Sequence, residues 1–103
     1  LLVIDNNSTD DTAAITRNFI EANPRLHVRY FLEENRGLSF ARNRGMKESL
    51  AAVVNYVDDD AILSAGYLEA MVHFFNSHPQ AGGAGVKVIP KYEEGKEPGW
   101  MSK

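Results

Sequence analysis

The sequence contains no cysteine and no long hydrophobic run. Without cysteine in its 103 residues, the chain forms no disulfide and offers neither a thiolate zinc site nor a cysteine nucleophile. Its longest nearly apolar stretch, residues 51–57, is far shorter than the roughly 20 residues that a membrane-spanning helix requires. A formal net charge of -3 gives no reason to expect nucleic acid as a partner.

What the chain does have is enough hydrophobic material for a core. With 44% hydrophobic residues among 103, it is long enough to bury about two-thirds of its unfolded surface, and we expect residues 1–103 to form a single domain. The chain opens on an apolar run without a methionine and closes shortly after Trp100 without a polar tail. We therefore expect both ends to be internal to a longer protein.

Short apolar runs alternate with segments of helical periodicity. Runs rich in aliphatic and aromatic residues predict strands at residues 1–4, 27–32, 51–57 and 86–89. Apolar residues at helical spacing predict three helices, which begin near Ser8, Leu38 and Ser64 and end before Pro24, near Leu50 and before Pro79. This order is typical of an α/β fold with a mostly parallel sheet and flanking helices.

Polar clusters follow the first three predicted strands. They are Asp5, Asn6 and Asn7 after the first strand, residues 33–36 after the second, and residues 58–60 after the third. Ligands of open α/β sheets bind at the carboxyl ends of the strands. Because the ends of parallel strands meet at one edge of the sheet, we expect the three clusters to face one cleft.

The third cluster is an acidic run of three adjacent residues, Asp58, Asp59 and Asp60. Adjacent carboxylates raise each other's pKa unless solvent or a cation lies between them. On an extended backbone Asp58 and Asp60 point to the same side, so both could bind one Mg²⁺ or Mn²⁺ ion. An equally simple interpretation is a solvated acidic turn whose last residue caps the next helix, and the residues alone leave both open.

The other polar residues have structural alternatives as well. Asp5 and its neighbours suit a turn followed by a helix cap. Arginine suits phosphate, and the chain has a basic cluster at Arg36, Arg42, Arg44 and Lys47. Residues two apart on a helix point in nearly opposite directions, so Arg42 and Arg44 cannot both face one site. We expect only part of this cluster to bind a ligand.

Three motifs in register connect these clusters to a known family. They are VIDNNSTDDT at residues 3–12, NRG at residues 35–37 with ARNRG at residues 41–45, and YVDDD at residues 56–60. In order and spacing they closely resemble the family 2 nucleotide-sugar glycosyltransferases of GT-A fold, and the resemblance continues through residues 66–69 to Trp100. It covers nearly the whole chain and implies a partial GT-A fold.

The resemblance implies transfer of a sugar from a nucleoside-diphosphate donor to an acceptor hydroxyl, with inversion and with Mg²⁺ or Mn²⁺ on the diphosphate. The acidic run matches the DxD motif of the family, whose last carboxylate, here Asp60, binds the metal. Asp5 and Asn6 match the pair that contacts the nucleobase, although an acidic residue often stands where this chain has Asn6. Arg42 and Asn43 match a motif that lines the nucleotide pocket.

The clusters and the resemblance together predict two sets of site residues. The predicted metal ligands are Asp58 and Asp60. The predicted partners are a nucleoside-diphosphate sugar and an acceptor such as a glycan or a lipid-linked saccharide, without nucleic acid. The predicted nucleotide-sugar site comprises Asp5, Asn6, Asn7, Arg36, Arg42, Asn43, Asp58 and Asp59.

Two parts of the family pattern have no counterpart in these residues. Relatives have a strand before the position of Leu1, and a downstream acidic residue that serves as general base. Glu93, Glu94 and Glu97 come too early to replace that base, whose absence costs roughly 10²–10⁴-fold in rate. We therefore predict no catalytic residue within the chain and expect the base at a position beyond Lys103.

These missing parts lead to three further expectations. The chain should be the donor-binding part of a longer enzyme and should be inactive by itself. We expect it to be cytoplasmic, with any membrane association through other segments. We also expect it to self-associate through an exposed sheet edge, because an unpaired edge offers backbone groups to a second chain.

Two other function classes fit parts of the sequence. In a haloacid-dehalogenase-like phosphatase, Asp58 would attack phosphorus, but Ile62 stands where that motif has Thr or Val. In a non-enzymatic phosphoacceptor receiver domain, Asp5 and Asn6 would form an acidic pocket with Lys87, but the usual strand with Ser or Thr is not apparent. Thermal stabilisation by a nucleoside diphosphate with Mn²⁺ would favour the transferase, and stabilisation by beryllofluoride would favour these alternatives.

Overall fold

The computed structural model describes residues 1–92. They contain β1 (Leu2–Asp5), α1 (Thr12–Ala22), β2 (Arg29–Leu32), α2 (Leu38–Glu48) and α3 (Tyr67–Ser77). The chain divides into two compact units, of which the first is Leu1–Leu63 and the second begins at Ser64.

Several positions named from the sequence lie outside the described residues. These positions are Glu93, Glu94, Glu97, Trp100 and Lys103. The catalytic base that we expect beyond Lys103 lies outside the chain altogether, so its position stays a prediction.

The first unit is built around a parallel pair of short strands. β1 and β2 are in register from Leu2 opposite Arg29 to Asp5 opposite Leu32. Helix α1 lies between them in the sequence, which makes a βαβ unit. The carboxyl ends of both strands therefore lie at the same edge of the sheet.

The two faces of this strand pair are covered by different helices. On one face Ile4 lies against Gly45 of α2, where a Cβ atom would be 3.6 Å from Cγ1 of Ile4. On the other face the guanidinium of Arg17 in α1 lies 5.5 Å from the centre of the Tyr30 ring. The first unit is thus a small α/β structure with a parallel sheet between helices, which confirms the predicted fold class.

Helix α2 is also fixed to the sheet near its C-terminal end. Arg29 of β2 donates a hydrogen bond from Nη2 to the carbonyl oxygen of Glu48 at 2.8 Å, one of the carbonyls that have no partner within the helix. The guanidinium of Arg44 lies 5.2 Å from the centre of the Phe31 ring, and its Nε donates to Oε1 of Glu48 at 2.9 Å. These contacts orient the helix that carries Arg42 and Asn43.

The prediction of strands at residues 51–57 and 86–89 is wrong, because the backbone of both segments is irregular. A strand is stable only when its backbone groups pair with a neighbour, and in the described part of the chain β1 and β2 pair with each other alone. The apolar run predicted burial, yet Val57 is 45% exposed. Tyr56 packs on α2 instead, with Cε1 3.7 Å from the Cβ position of Gly45.

The start of α1 also differs from the predicted one. The helix begins at Thr12 rather than at Ser8, because Ser8 donates its backbone N–H to Oδ1 of Asp5 at 2.8 Å and belongs to the turn after β1. The first N–H of the helix is bonded by Asp10, whose Oδ1 accepts from Thr12 at 3.0 Å. The predicted end before Pro24 is confirmed, since α1 ends at Ala22.

The second unit contains α3. Its end at Ser77 agrees with the stop predicted before Pro79. It begins after Gly66 rather than at Ser64, and no side chain caps it. Gly66 has a φ of 76°, a backbone conformation that glycine adopts without steric cost.

Within residues 1–92, no hydrophobic side chain is buried. Ile15 and Phe19 of α1 are 66% and 48% exposed, whereas Asp5 is only 5% exposed. Apolar packing around the strand ends is therefore thin. Hydrogen bonds from polar side chains keep the loops there in place.

Candidate functional site

The side chain of Asp5, the last residue of β1, is occupied by partners within the protein. Its Oδ1 accepts the backbone N–H of Ser8 at 2.8 Å, and its Oδ2 accepts the hydroxyl of Tyr30 at 2.6 Å. Tyr30 precedes Leu32, the residue opposite Asp5, by two positions, so both side chains lie on the same face of the strand pair. Both oxygens of this buried carboxylate are thus engaged.

These hydrogen bonds also set the charge of Asp5. The bond from the Tyr30 hydroxyl, followed by the bonds from Ser8, holds the pKa of Asp5 below its ordinary value, because each stabilises the carboxylate. The same bond raises the pKa of Tyr30, since ionisation of the hydroxyl would remove the donor. Asp5 is therefore a charged acceptor and Tyr30 a neutral donor at neutral pH.

The side-chain amide of Asn6 joins the end of β1 to the loop between β2 and α2 (residues 33–37, the β2–α2 loop). Its Nδ2 donates to the carbonyl oxygen of Asn35 at 2.6 Å and to that of Glu33 at 3.3 Å. Its Oδ1 accepts the backbone N–H of Gly37 at 2.6 Å. Asn6 thus contacts the beginning, the middle and the end of this loop.

Asn7 adds a weaker link to the same loop. Its Nδ2 lies 3.4 Å from the carbonyl oxygen of Glu34, and its φ of 60° places it in the left-handed region that Asn tolerates better than most residues. Next to it, the backbone N–H of Glu33 donates to the carbonyl oxygen of Asp5 at 2.8 Å. The clusters predicted after the first two strands therefore lie together at one edge.

The β2–α2 loop is stabilised by its own polar groups as well. Oε1 of Glu33 accepts the backbone N–H of Asn35 at 2.9 Å and its side-chain Nδ2 at 2.8 Å, and these bonds lower the pKa of Glu33. Gly37 has a φ of 132°, which L side chains rarely adopt. Arg36, between them, is exposed and forms no ion pair with another residue in the range 1–92.

The third predicted cluster is connected to α2 through Arg42. Nη2 of Arg42 lies 3.5 Å from Oδ1 of Asp58, with both side chains largely exposed. The hydroxyl of Tyr56 donates to the carbonyl oxygen of Arg42 at 3.0 Å, and the guanidinium lies 5.9 Å from the centre of the Tyr56 ring. Arg44 points elsewhere and bonds Glu48, as predicted from the two-residue spacing.

The acidic run itself lies in a turn. The backbone N–H of Ala61 donates to the carbonyl oxygen of Asp58 at 3.1 Å, so the argument that an extended backbone points Asp58 and Asp60 to one side is wrong. All three aspartates are exposed. Among residues 1–92 no three or more His, Cys, Asp or Glu side chains lie close enough together to hold a metal, and the metal ligands stay a prediction.

Two contributors to this site were not among the predicted site residues. Tyr30 completes the bonding of Asp5, and Gly37 supplies the N–H that Asn6 accepts. The spacing could have indicated Tyr30, because a parallel register puts residues two apart on one face. Asn43, one of the predicted site residues, is exposed on α2.

Comparison with known proteins identifies the family. Residues 1–101 match the family model described as Glycosyl transferase family 2. The chain belongs to this family. Its parallel α/β architecture is consistent with a partial GT-A fold, and the family match leaves no support for the phosphatase and receiver-domain alternatives.

Two curated proteins of one bacterium are among the relatives. Minor teichoic acid biosynthesis protein GgaB of Bacillus subtilis (strain 168) is 28% identical over 78 residues, which are 76% of this chain and 9% of that protein. Putative teichuronic acid biosynthesis glycosyltransferase TuaG of the same organism is 32% identical over 74 residues, 72% of this chain and 29% of the relative.

A third relative is the GalNAc(5)-diNAcBac-PP-undecaprenol beta-1,3-glucosyltransferase of Campylobacter jejuni, 31% identical over 78 residues, 74% of this chain and 25% of that protein. The chain thus spans between 9% and 29% of the length of these three relatives. No solved structure gives a significant match. Within residues 1–92, none of the helices combines the length and the apolar character needed to cross a membrane.

Proposed function

We propose that this chain binds the nucleoside diphosphate of a sugar donor and contributes that site to an inverting, metal-dependent glycosyltransferase. The observation that carries the proposal is the junction of the loops after β1 and β2, which the amide of Asn6 joins through hydrogen bonds at 2.6 Å to Asn35 and Gly37. The junction lies at the carboxyl edge of a parallel strand pair, where α/β proteins bind their ligands.

Two arginines near this junction suit a diphosphate. Arg36 extends from the β2–α2 loop with no ion-pair partner in the described part of the chain, and Arg42 follows in the first half of α2. Guanidinium groups bind phosphate oxygens with two parallel hydrogen bonds. We place the diphosphate near Arg36 and Arg42, with Asn43 beside them. We place the nucleobase against the surface formed by the loop after β1, which contains Asp5, Asn6 and Asn7.

The acidic run has the chemistry for the metal of this proposal. Mg²⁺ and Mn²⁺ prefer oxygen ligands, and Mg²⁺ is commonly held by one or two carboxylates together with substrate phosphates and water. Asp58 and Asp60 provide two such carboxylates on an exposed turn, and we propose that Asp59 lies near the donor. A divalent ion bound there would offset the negative charge of the diphosphate leaving group.

The acceptor and the place of action are further parts of the proposal. The names of the relatives refer to teichoic acid, to teichuronic acid and to a PP-undecaprenol saccharide, which supports a glycan or a lipid-linked saccharide as acceptor. The cytoplasmic location, membrane association through other segments, and self-association through a sheet edge stay predictions.

We assign the catalytic base to no residue of this chain and keep its predicted position beyond Lys103. An inverting transfer needs a group that removes the proton of the acceptor hydroxyl. The carboxylates of Asp5 and Glu33, which lie at the two strand ends, are both bonded internally. We expect the 103-residue chain to bind donor and transfer no sugar. Multiple turnovers by the purified chain would contradict this.

Isothermal titration calorimetry tests the proposed donor site. UDP, GDP and ADP are titrated into the chain with and without MnCl₂, and the corresponding nucleosides serve as controls. We expect one diphosphate to bind preferentially, in a manganese-dependent way, and its nucleoside to bind far more weakly. If none of the three diphosphates binds in the presence of Mn²⁺, the proposed function is wrong.

A further inference from the structure

The pattern of hydrogen bonds around Asn6 requires an amide. Its nitrogen donates to the carbonyl oxygens of Glu33 and Asn35, and its oxygen accepts the backbone N–H of Gly37. A carboxylate offers two acceptors and no donor. An aspartate at this position could therefore keep the bond from Gly37 but would face two carbonyl oxygens without a hydrogen.

The loop that Asn6 contacts has little else to order it. Its residues are exposed except for Glu33, which is half-buried, and it includes no hydrophobic side chain. Loops without buried apolar contacts open readily. The order of the β2–α2 loop thus depends on polar bonds, of which the two shortest from Asn6 are at Asn35 and Gly37.

Arg36 lies directly between these two anchored residues. Its backbone is fixed on both sides, at the carbonyl of Asn35 and at the N–H of Gly37, while its guanidinium is exposed. The carboxylate of Glu33 accepts hydrogen bonds from Asn35 and forms no ion pair with Arg36. Because the backbone of Arg36 is already ordered and its guanidinium has no ion-pair partner within residues 1–92, binding of an anion would cost less conformational entropy.

We infer that Asn6 is a positioning residue, which clamps the β2–α2 loop and thereby presents Arg36 to the phosphate of the nucleotide donor. The inference rests on the proposed function for its ligand, but the clamp itself does not. In this role the Asn6 side chain contacts the loop backbone rather than the nucleobase. Specificity for the base then comes from other groups at the site.

The clamp is tested first without ligand, by amide hydrogen exchange of Asn6→Asp in the 103-residue chain. Two donated hydrogen bonds are lost, so exchange of the amides in residues 33–37 should become at least about tenfold faster. Asn18→Asp makes the same charge change on the exposed surface of α1 and should leave these rates unchanged. If Asn6→Asp does not fold, Asn6→Ser, which cannot span the loop, takes its place. Unchanged exchange in the folded variant would overturn the clamp.

The positioning role is tested by a double-mutant cycle on nucleotide affinity. When Asn6 is present, Arg36→Gln should weaken binding of the preferred nucleoside diphosphate with Mn²⁺ by about tenfold. In the Asn6→Asp variant, where the loop no longer presents Arg36, the same substitution should weaken binding by less than about twofold. A merely structural Asn6 would lower affinity without changing the effect of Arg36→Gln, and that result would overturn the inference.

The two experiments also separate this inference from the proposed function. If the unchanged chain binds no nucleoside diphosphate, the proposed function fails and the role given to Arg36 fails with it. The exchange measurement still decides whether Asn6 orders the loop. If the chain binds nucleotide and the effects of the two substitutions are independent, the proposed function stands and the positioning role is wrong.

Discussion

The loops after β1 and β2 are held together by hydrogen bonds to backbone atoms, whereas the acidic run is held to α2 by one exposed side chain. At the strand ends, Asn6 makes two bonds of 2.6 Å and Asp5 is 5% exposed. At the acidic run, Arg42 approaches Asp58 at 3.5 Å with side-chain exposures of 46% and 64%. Bonds of the first kind are worth more than exposed ion pairs, so we expect the strand-end loops to be the more rigid part of the site.

The difference in strength between these two sets of contacts suits two separate steps, docking of the nucleotide and binding of the metal. In the proposed function, an ordered loop would fix where the nucleotide docks, because its backbone would not have to be immobilised on binding. A weakly held acidic run can exchange its contact with Arg42 for a cation, since an exposed ion pair contributes little stability.

The largest effect is expected at the acidic run. Asp60→Asn removes the negative charge of one predicted metal ligand. We expect the manganese-dependent affinity for the nucleoside diphosphate to fall by at least about 100-fold, because substitutions next to metal ligands already cause losses of up to this size. The fold should be unchanged, because the side chain is exposed. Calorimetry measures the affinity and circular dichroism checks the fold.

The matched control is Asp11→Asn, which makes the same charge change at an exposed residue before α1. Its affinity should equal that of the unchanged chain. Equal affinity of Asp60→Asn and Asp11→Asn would show that Asp60 does not bind the metal.

The second prediction compares one chemical change in both regions. Tyr30→Phe removes the hydroxyl that Asp5 accepts at 2.6 Å, and we expect the free energy of unfolding to fall by about 1.5–3 kcal/mol, the range for a bond to a charged group. Tyr56→Phe removes the bond to the carbonyl of Arg42, and we expect a loss of about 0.5–1 kcal/mol. Urea unfolding of both variants measures the difference, and equal losses would contradict the comparison.

The third prediction concerns pH. The pKa of Asp5 is lower in the folded chain than its ordinary value of 3.8, so the folded state favours the carboxylate. The stability that this contributes is complete above the ordinary pKa and is lost as the pH falls through the lower folded value. Unfolding free energies measured from neutral pH downward should therefore decline below 3.8.

The decline should be smaller in Tyr30→Phe, because the Tyr30 hydroxyl is the largest cause of the lowered pKa. Tyr56→Phe should leave the pH dependence as it is. A pH profile of Tyr30→Phe that parallels that of the unchanged chain would show that another group is responsible.

The smallest effect is expected for the ion pair between α2 and the acidic run. A double-mutant cycle with Arg42→Gln and Asp58→Asn should give a coupling of about 0.2–1 kcal/mol in the free energy of unfolding, because both groups are exposed to solvent. Urea unfolding of the four chains measures it. A coupling well above this range would mean that the acidic run is as firmly held as the strand-end loops.

The sequence predicted the three helices of the described residues, whose stability is local, and the strand pair of β1 and β2. The helical spacing of apolar residues located all three helices, and the stops before Pro24 and Pro79 agree with α1 and α3. The apolar run at residues 51–57 did not become a strand, because a strand depends on a partner edge that hydrophobicity does not reveal. The same reasoning applies to residues 86–89.

The candidate site was predictable in its location and less so in its contacts. That Asp5 and the β2–α2 loop meet followed from the parallel alternation of strands and helices. The role of Asn6 did not, because its partners are backbone atoms 27 to 31 positions away in the sequence. The arrangement of the acidic run depended on the turn to Ala61, which the assumption of an extended strand excluded.

Because α2 is anchored at both ends, its length determines where its side chains lie in the site. The helix starts after Gly37, whose N–H is bonded by Asn6, and it finishes where Arg29 bonds Glu48. The helix has 11 residues, and each residue turns an α-helix by about 100°. One residue inserted before Arg42 would either swing its side chain away from Asp58 or detach the helix from Arg29. Insertions and deletions in α2 should therefore be tolerated far less well than substitutions on its exposed face.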